Sequence, residues 1–533
     1  MSVANSQPYE VIQYNIEHLK DLFVKKAGSF PHVVSNKSHL RFFDEYFKKL
    51  NTQTIVVENN YVDRDFLEDF TGYYARCFED YKRKCVRLHF FNIVFTTEFF
   101  DSILSGICEK DADKKLQSAY LGFIVVKPLP QTIIGRTCLK TYPPEGRRIF
   151  PSLRKYEVNL FGINLYLDSL AFQEQDKVVA ACATSALWSA FHGTGKFFHH
   201  HIPSPVEITK LANTFPEEGN TRSLPSEGLT CAQMAYAIQR ISLEPFLINI
   251  KDLNIMKTNV YAYLKLGIPL VMGIVLYDVS QKPHKPLGKH AVTITGYNLD
   301  STILPSESYS FLKASRINKI YVHDDQVGPF ARMVFDGKKV SSIDEINEEK
   351  FTEVDSLDTS WGAGIRAIPE ILLAPLYHKI RIPFNAVRDM IRSFDLFIES
   401  LRELELVVLS RRLEWDIYLT TVSEFKKSIF TSNDVVSDYR KDVLSSDMPR
   451  FIWRATALNS ENKKVLDLLF DATDIEQGAF FLRAVEYDRD FALKLRTLSG
   501  LLNKEEMFNK LKIEPVWKFL GWFAKKHEEN SVL

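Results

Sequence analysis

At 533 residues the chain is too long for one core, and about 150 residues per domain implies three or so. Sixty-seven basic residues balance 67 acidic ones, which argues against a whole-chain field that would attract nucleic acid or an anionic membrane. Hydrophobic content of 45% with 25% charged residues is that of an ordinary globular protein.

The N-terminus, MSVANSQPYEVIQYN, lacks the basic start and continuous apolar stretch of a signal peptide. The longest apolar run, Leu266 to Tyr277, is too short to span a bilayer and reads as a buried strand. Cys77, Cys85, Cys108, Cys138, Cys182 and Cys231 are too sparse for a disulfide framework, and none forms a CxxC pair. A reducing, cytoplasmic setting is therefore expected, with no membrane and no nucleic-acid partner.

Residues 1–165 read as a mixed α/β region. Thr54 to Asn60 is a β-branched run, followed by an aromatic amphipathic stretch from Phe66 to Tyr81. Val86 to Phe95 and Ala119 to Pro130 look like further strands, and Pro143 to Ser152 is turn-rich. The aromatic wealth of this region is better read as core than as a ligand platform. Tyr156 to Leu167 alternates as a strand before a second region, 166–345, begins. A third region, 346–533, opens on a loop-like stretch, Glu353 to Gly364, and is predicted to be mostly helical. Asn385 to Glu405 has the three- and four-residue apolar spacing of an amphipathic helix, and Glu514 to Glu529 resembles a terminal one.

The chemistry-bearing residues lie in the second region. In FQEQDKVVAACATSALWSAFHG, Phe172 to Gly193, Cys182 sits where a turn gives way to a helix. The positive end of a helix dipole favours thiolate over thiol, and the thiolate is the attacking species. Gln173 and Gln175 upstream offer side-chain amide donors for an oxyanion hole with the Cys182 backbone N–H. His290 opens the strand GKHAVTITGYN, Gly288 to Asn298, from which an imidazole can face a helix start across a cleft and act as general base. In NKIYVHDDQVGPF, Asn318 to Phe330, Asp324 shares a strand face with Ile320 and Val322 and is expected to accept the Nδ1–H of His290. Asp325 falls on the other face, and either acid has a turn-capping carboxylate as its plain alternative.

Together, a glutamine followed by ACATSALW, then KHAVTITGY, then IYVHDD-x-x-GP resembles the papain-like cysteine peptidases, nearest to the bacteriocin-leader (double-glycine) peptidase-like group. Ser204 to Ala212 and Glu227 to Ile241 also resemble the helices which that group carries between its cysteine and histidine. The resemblance covers about 165 of 533 residues. It implies an α+β papain-like module with Cys182 as nucleophile, His290 as base, Asp324 as orienting acid and Gln175 as oxyanion donor. Ala183 and Thr184 follow the cysteine where the group has Gly-Pro, and Gln175 lies seven residues before it where six is usual. No transporter segment accompanies the module, so an exporter role does not carry over.

Other candidates are weaker. His199, His200 and His201 are adjacent and point in different directions, so no metal is expected there, and no cofactor is implied anywhere. Cys231 opens a helix but reads as a buried thiol, and Asp471 and Asp474 read as helix caps. The expected function is hydrolysis of a peptide or isopeptide bond through a thioester. Deamidation, acyl transfer or a non-catalytic scaffold are the alternatives. A protein or peptide substrate follows, with partner docking by the flanking regions.

Overall fold

The computed structural model describes residues 7–533 except 109, 144–146, 177, 215–223, 227, 304–311, 344–350, 436, 476–479, 503–518 and 526–533. It is a mixed α+β protein with several antiparallel sheets. Among the described residues no helix is long and apolar enough to cross a membrane. The chain divides into two compact units, and it contributes to each in more than one stretch.

The first unit comprises 1–252, 267–298 and 318–376, so the N-terminal region and most of the 166–345 region belong to one body. Its N-terminal part is a five-stranded antiparallel sheet whose strands follow in chain order, Tyr9–Gln13, Thr54–Tyr61, Cys85–Phe91, Tyr120–Val126 and Ile134–Leu139. Burial of Ile55, Val57, Leu88, Phe90, Ile124 and Val126 on one sheet face requires a cover. The helices Ile16–Ala27 and Ser38–Lys49 supply it with Leu19, Phe23, Phe43 and Phe47. The aromatic run from Phe66 does not continue as one helix. Arg64–Gly72 is helical, and Tyr74–Arg76 is a single 3-10 turn after Gly72, a poor helix former. The alternation from Tyr156 belongs to a hairpin, Arg154–Leu160 with Ile163–Ser169, turned at Phe161-Gly162.

The second sheet of this unit closes on itself. Leu270–Asp278 pairs with Lys285–Leu299 on one side and Ile365–Tyr377 on the other, and Ile317–Asp324, Gly328–Val334 and Leu357–Thr359 complete the ring. Closure removes exposed edges and fixes the stagger of every strand. The stretch expected as a loop, Glu353 to Gly364, in fact carries the end of the strand Phe351–Asp355 and all of Leu357–Thr359. Two strands so short leave little periodicity to read.

The helix Cys182–Phe198 packs against the ring. Its middle turns are nearly all buried, and it ends where His199 turns left-handed. A Cβ on Gly193 would lie 2.5 Å from Pro269 Cγ, so glycine there permits the close approach to the start of the strand Leu270–Asp278. Thr293 Oγ1 donates to Ala186 O at 2.6 Å, joining the helix to the strand that carries His290. On its other flank Trp188 Nε1 donates at 3.1 Å to Asp65, which also accepts from Arg136 at 2.8 Å.

The second unit comprises 253–266, 299–317 and 377–533. Here the expectation of a mostly helical C-terminal region is corrected. Alongside helices such as Phe384–Glu403 runs a four-stranded antiparallel sheet, Glu414–Thr421, Phe451–Leu458, Lys464–Asp471 and Phe481–Glu486. Its strands bury charged residues that break the apolar pattern. Asp416 accepts from Tyr261 at 2.9 Å and from Lys265 at 2.8 Å, while Asp467 accepts from Arg454, Thr456 and Tyr487. Asp471 closes a turn after its strand by accepting from Thr473 N rather than capping a helix, and Asp474 accepts from Ile475 N. Of the expected terminal helix, residues 519–525 are helical and the rest lies outside the described residues.

Replacing Gly193 by Val overpacks the contact with Pro269 and is expected to cost about 1–3 kcal/mol. The check is a urea titration, in which the midpoint falls with little change of slope.

Candidate functional site

Cys182 is the first residue of its helix and half-buried. Ala181, the residue before it, contributes no side-chain cap. The first-turn N–H groups of the helix are therefore left to polarise whatever anion stands at its start. The Cys182 side chain lies close enough to His290 to help raise the imidazole's hold on its proton. His290 is 6% exposed and faces Ile274 across the ladder of the closed sheet.

Two carboxylates meet the same nitrogen of His290. Nε2 donates to Asp324 Oδ1 at 3.0 Å and lies 3.4 Å from Asp325 Oδ1. The nitrogen facing the acid is thus Nε2 and not the expected Nδ1, which leaves Nδ1 as the ring nitrogen turned away from the carboxylates. The strand-parity argument that set Asp325 on the other face fails for a local reason. The ladder shifts register between Val322 and Asp324, where the strand ends and alternation ceases. Asp325 was legible only as a neighbour of Asp324.

Asp324 is fully engaged. Its Oδ1 also accepts from Gln326 N at 3.1 Å, and its Oδ2 accepts from Trp361 Nε1 at 2.7 Å. Trp361 additionally stands edge-on to the His290 ring, with centroids 5.5 Å apart. Sequence reasoning missed Trp361 because it sits in the stretch taken for a loop. A large aromatic between Ser and Gly in such a stretch is the signal that was present.

The helix Ser38–Lys49 braces this acidic loop from behind. His39 Nε2 donates to Asp325 O at 3.0 Å, Ser38 Oγ donates to Gln326 O, and Arg41 donates to Trp361 O at 2.5 Å. Nothing in the sequence connects that helix to residues almost three hundred positions later.

Electrostatics set His290 apart from the other buried histidines. Burial lowers His39 and His89, drives His192 well below the ordinary 6.5, and takes His323 down to about 3. Burial acts on His290 in the same direction, but Asp324, the Cys182 side chain and the nearby Asp325 outweigh it and raise His290 well above its ordinary value. Burial likewise pushes Asp324 up, yet the His290 charge and its three hydrogen bonds hold it below the usual carboxylate range. Asp325 lacks such bonds, and burial, with Asp324 and Glu174 close by, raises it to about 7.

The two glutamines separate. Gln173 is 5% exposed, and its Nε2 has no hydrogen-bond partner among the described residues. It follows Phe172, whose ring packs on His323 at 5.7 Å, beside the acidic pair. Gln175 instead lines a polar pocket of about 320 Å³ with His32, Asn36, Lys37, Gln131 and Glu174, a lining that includes neither Cys182 nor His290.

His290, Asp324 and Asp325 also bring imidazole and carboxylate atoms within 4.8 Å of one another, the donor set of a metal site. The geometry does not fit one. Both carboxylates point at a single nitrogen, and both Asp324 oxygens already accept from N–H donors. In the histidine run, His201 pairs with Glu207 at 3.1 Å and His200 bonds Thr194. Cys231 also opens a helix, Cys231–Arg240, and burial pushes its thiol up. Comparison with known protein families yields no matching family model, and comparison with curated proteins yields no match.

The His290 ring is expected to stay protonated to a pH above 6.5 in the native protein. In Asp324→Asn the burial effect wins and the ring loses its proton earlier. Histidine Cε1–H resonances followed by NMR across pH report both midpoints.

Proposed function

We propose that this protein is a thiol hydrolase that cleaves a peptide or isopeptide bond through a thioester, using a papain-like module within residues 166–345. One observation carries the reading: the His290 imidazole stands between the Asp324 carboxylate, 3.0 Å from its Nε2, and the Cys182 side chain, and both raise its hold on a proton. The order of the three residues along the chain, a helix-borne cysteine and an acid beside a strand-borne histidine all accord with it.

In the proposed cycle His290 holds the proton of Cys182, and the sulfur attacks the substrate carbonyl carbon. The oxyanion is met by the backbone N–H of Cys182 and a side-chain amide. We assign that amide to Gln173 in preference to Gln175, because its buried Nε2 is unpartnered. Collapse breaks the C–N bond, and His290 passes its proton to the departing amine. Water, deprotonated by His290, then attacks the thioester, and the sulfur leaves as thiolate. Six free cysteines accord with the reducing, cytoplasmic setting proposed for a thiol enzyme.

Iodoacetamide at about pH 6 is expected to label Cys182 ahead of Cys231, because burial pushes the Cys231 thiol up while Cys182 stands beside a histidine that can take its proton. Peptide mapping checks the selectivity. Loss of that labelling in His290→Ala supports the reading, and indifference to His290 removes the base. Incubation with a peptide library tests the reaction type by product mass. Hydrolysis splits the chain, whereas deamidation would add about one mass unit and leave it whole.

A further inference from the structure

A three-membered relay leaves one buried acid without a task. Asp325 is 4% exposed, its Oδ1 lies 3.4 Å from His290 Nε2, and neither carboxylate oxygen has a hydrogen-bond partner among the described residues. Its backbone is clamped, since His39 bonds its carbonyl and Ser38 bonds the next one. The side chain is therefore held against the imidazole.

Resting on the thiol-hydrolase reading, we propose that Asp325 is a second, titrating carboxyl partner of His290. It is a positioning residue whose ionisation strengthens the imidazolium–thiolate pair and sets the pH at which Cys182 becomes reactive. One imidazolium supplies one positive charge, and Asp324 already holds its Nε2–H at 3.0 Å. Two carboxylates on one ring nitrogen cannot both be compensated, so the less well bonded acid keeps a proton to higher pH. Burial, with the charges of Asp324 and Glu174, raises that acid to about 7, with His290 opposing.

The groups facing Asp325 are few. His290 comes from the strand Lys285–Leu299, Asp324 from the end of the strand Ile317–Asp324 just before it, and Glu174 from the extended segment after Phe172. Glu174 is itself paired with Lys37, and His39 is lowered by burial. His290 is thus the cation in direct contact with Asp325. When Asp325 releases its proton to solvent, the new charge sits 3.4 Å from Nε2 and favours the imidazolium. In the fraction of molecules that hold the neutral thiol–imidazole pair, the S–H bond of Cys182 then breaks and a ring N–H forms, with no change of oxidation state.

The test is the second-order rate of Cys182 alkylation by iodoacetamide between about pH 5 and pH 9. The full-length chain is used as wild type, Asp325→Asn, Asp325→Glu and His290→Ala. The wild-type rate is expected to rise through a step near 7. Asp325→Asn should lose the step, with a rate about tenfold lower at about pH 8 and within about twofold of wild type at about pH 5.5. A wild-type profile in Asp325→Asn overturns the proposal while leaving the hydrolase reading intact. A wild-type rate in His290→Ala overturns both. Should Asp325→Asn fail to fold, Asp325→Glu decides: a displaced midpoint supports the proposal and an unmoved one overturns it.

Discussion

A histidine shut away from water gives up its proton easily unless negative charge stands beside it. In this chain His39, His192 and His323 follow that rule, and His89 is lowered even with Glu58 at 3.2 Å, because burial and the Arg87 charge outweigh that carboxylate. His290 is equally enclosed yet moves the other way, because Asp324 meets its Nε2 and Asp325 crowds the same atom. Every other feature of the candidate site bears on keeping that contact dry and fixed. A ring exposed to solvent would feel these carboxylates through a high dielectric and hold its proton less firmly.

The contact is maintained by rigid elements on three sides. The closed sheet fixes where the strands of His290 and Asp324 lie relative to each other, since a stagger change in one strand would have to propagate around the ring. The Cys182 helix is drawn onto that sheet at Gly193 and Ala186 and held from the other flank by Trp188 on Asp65. Behind the acids, the helix Ser38–Lys49 binds three successive features of the site, at Asp325, Gln326 and Trp361. That arrangement explains why the N-terminal region and the module share one compact unit. The N-terminal helix forms the rear wall of the acidic loop, and Asp325 owes its immobility to it.

The α+β character, the strands Thr54–Tyr61, Cys85–Phe91 and Tyr120–Val126 and the helix Phe384–Glu403 were legible from periodicity, because their buried faces are apolar. The C-terminal sheet was not, because Asp416, Arg454 and Asp467 stand at buried positions, Arg454 pairing with Asp467 across strands and Asp416 with Tyr261 and Lys265 from far along the chain, which a linear pattern cannot register. At the site, Cys182, His290 and Asp324 could be picked out by residue type and local context. Asp325 and Trp361 could not be assigned, for the first depends on a register shift at a strand end and the second on a return of the chain after a 37-residue excursion. The choice between Gln173 and Gln175 likewise turned on burial, which counting residues back from the cysteine does not reveal.

The two acids differ in how their lone pairs are used, and that difference divides the work between them. Asp324 accepts from an imidazole, an indole and a backbone N–H, so its negative charge is stabilised wherever the imidazole proton resides. It behaves as a constant. Asp325 has burial without donors, so its charge is costly and depends on the proton balance of the whole cluster. Such a pair gives an imidazole one permanent counter-ion and one conditional one. Because both address Nε2, neither competes for Nδ1, and in the proposed reading the strength of the base changes without disturbing the other ring nitrogen.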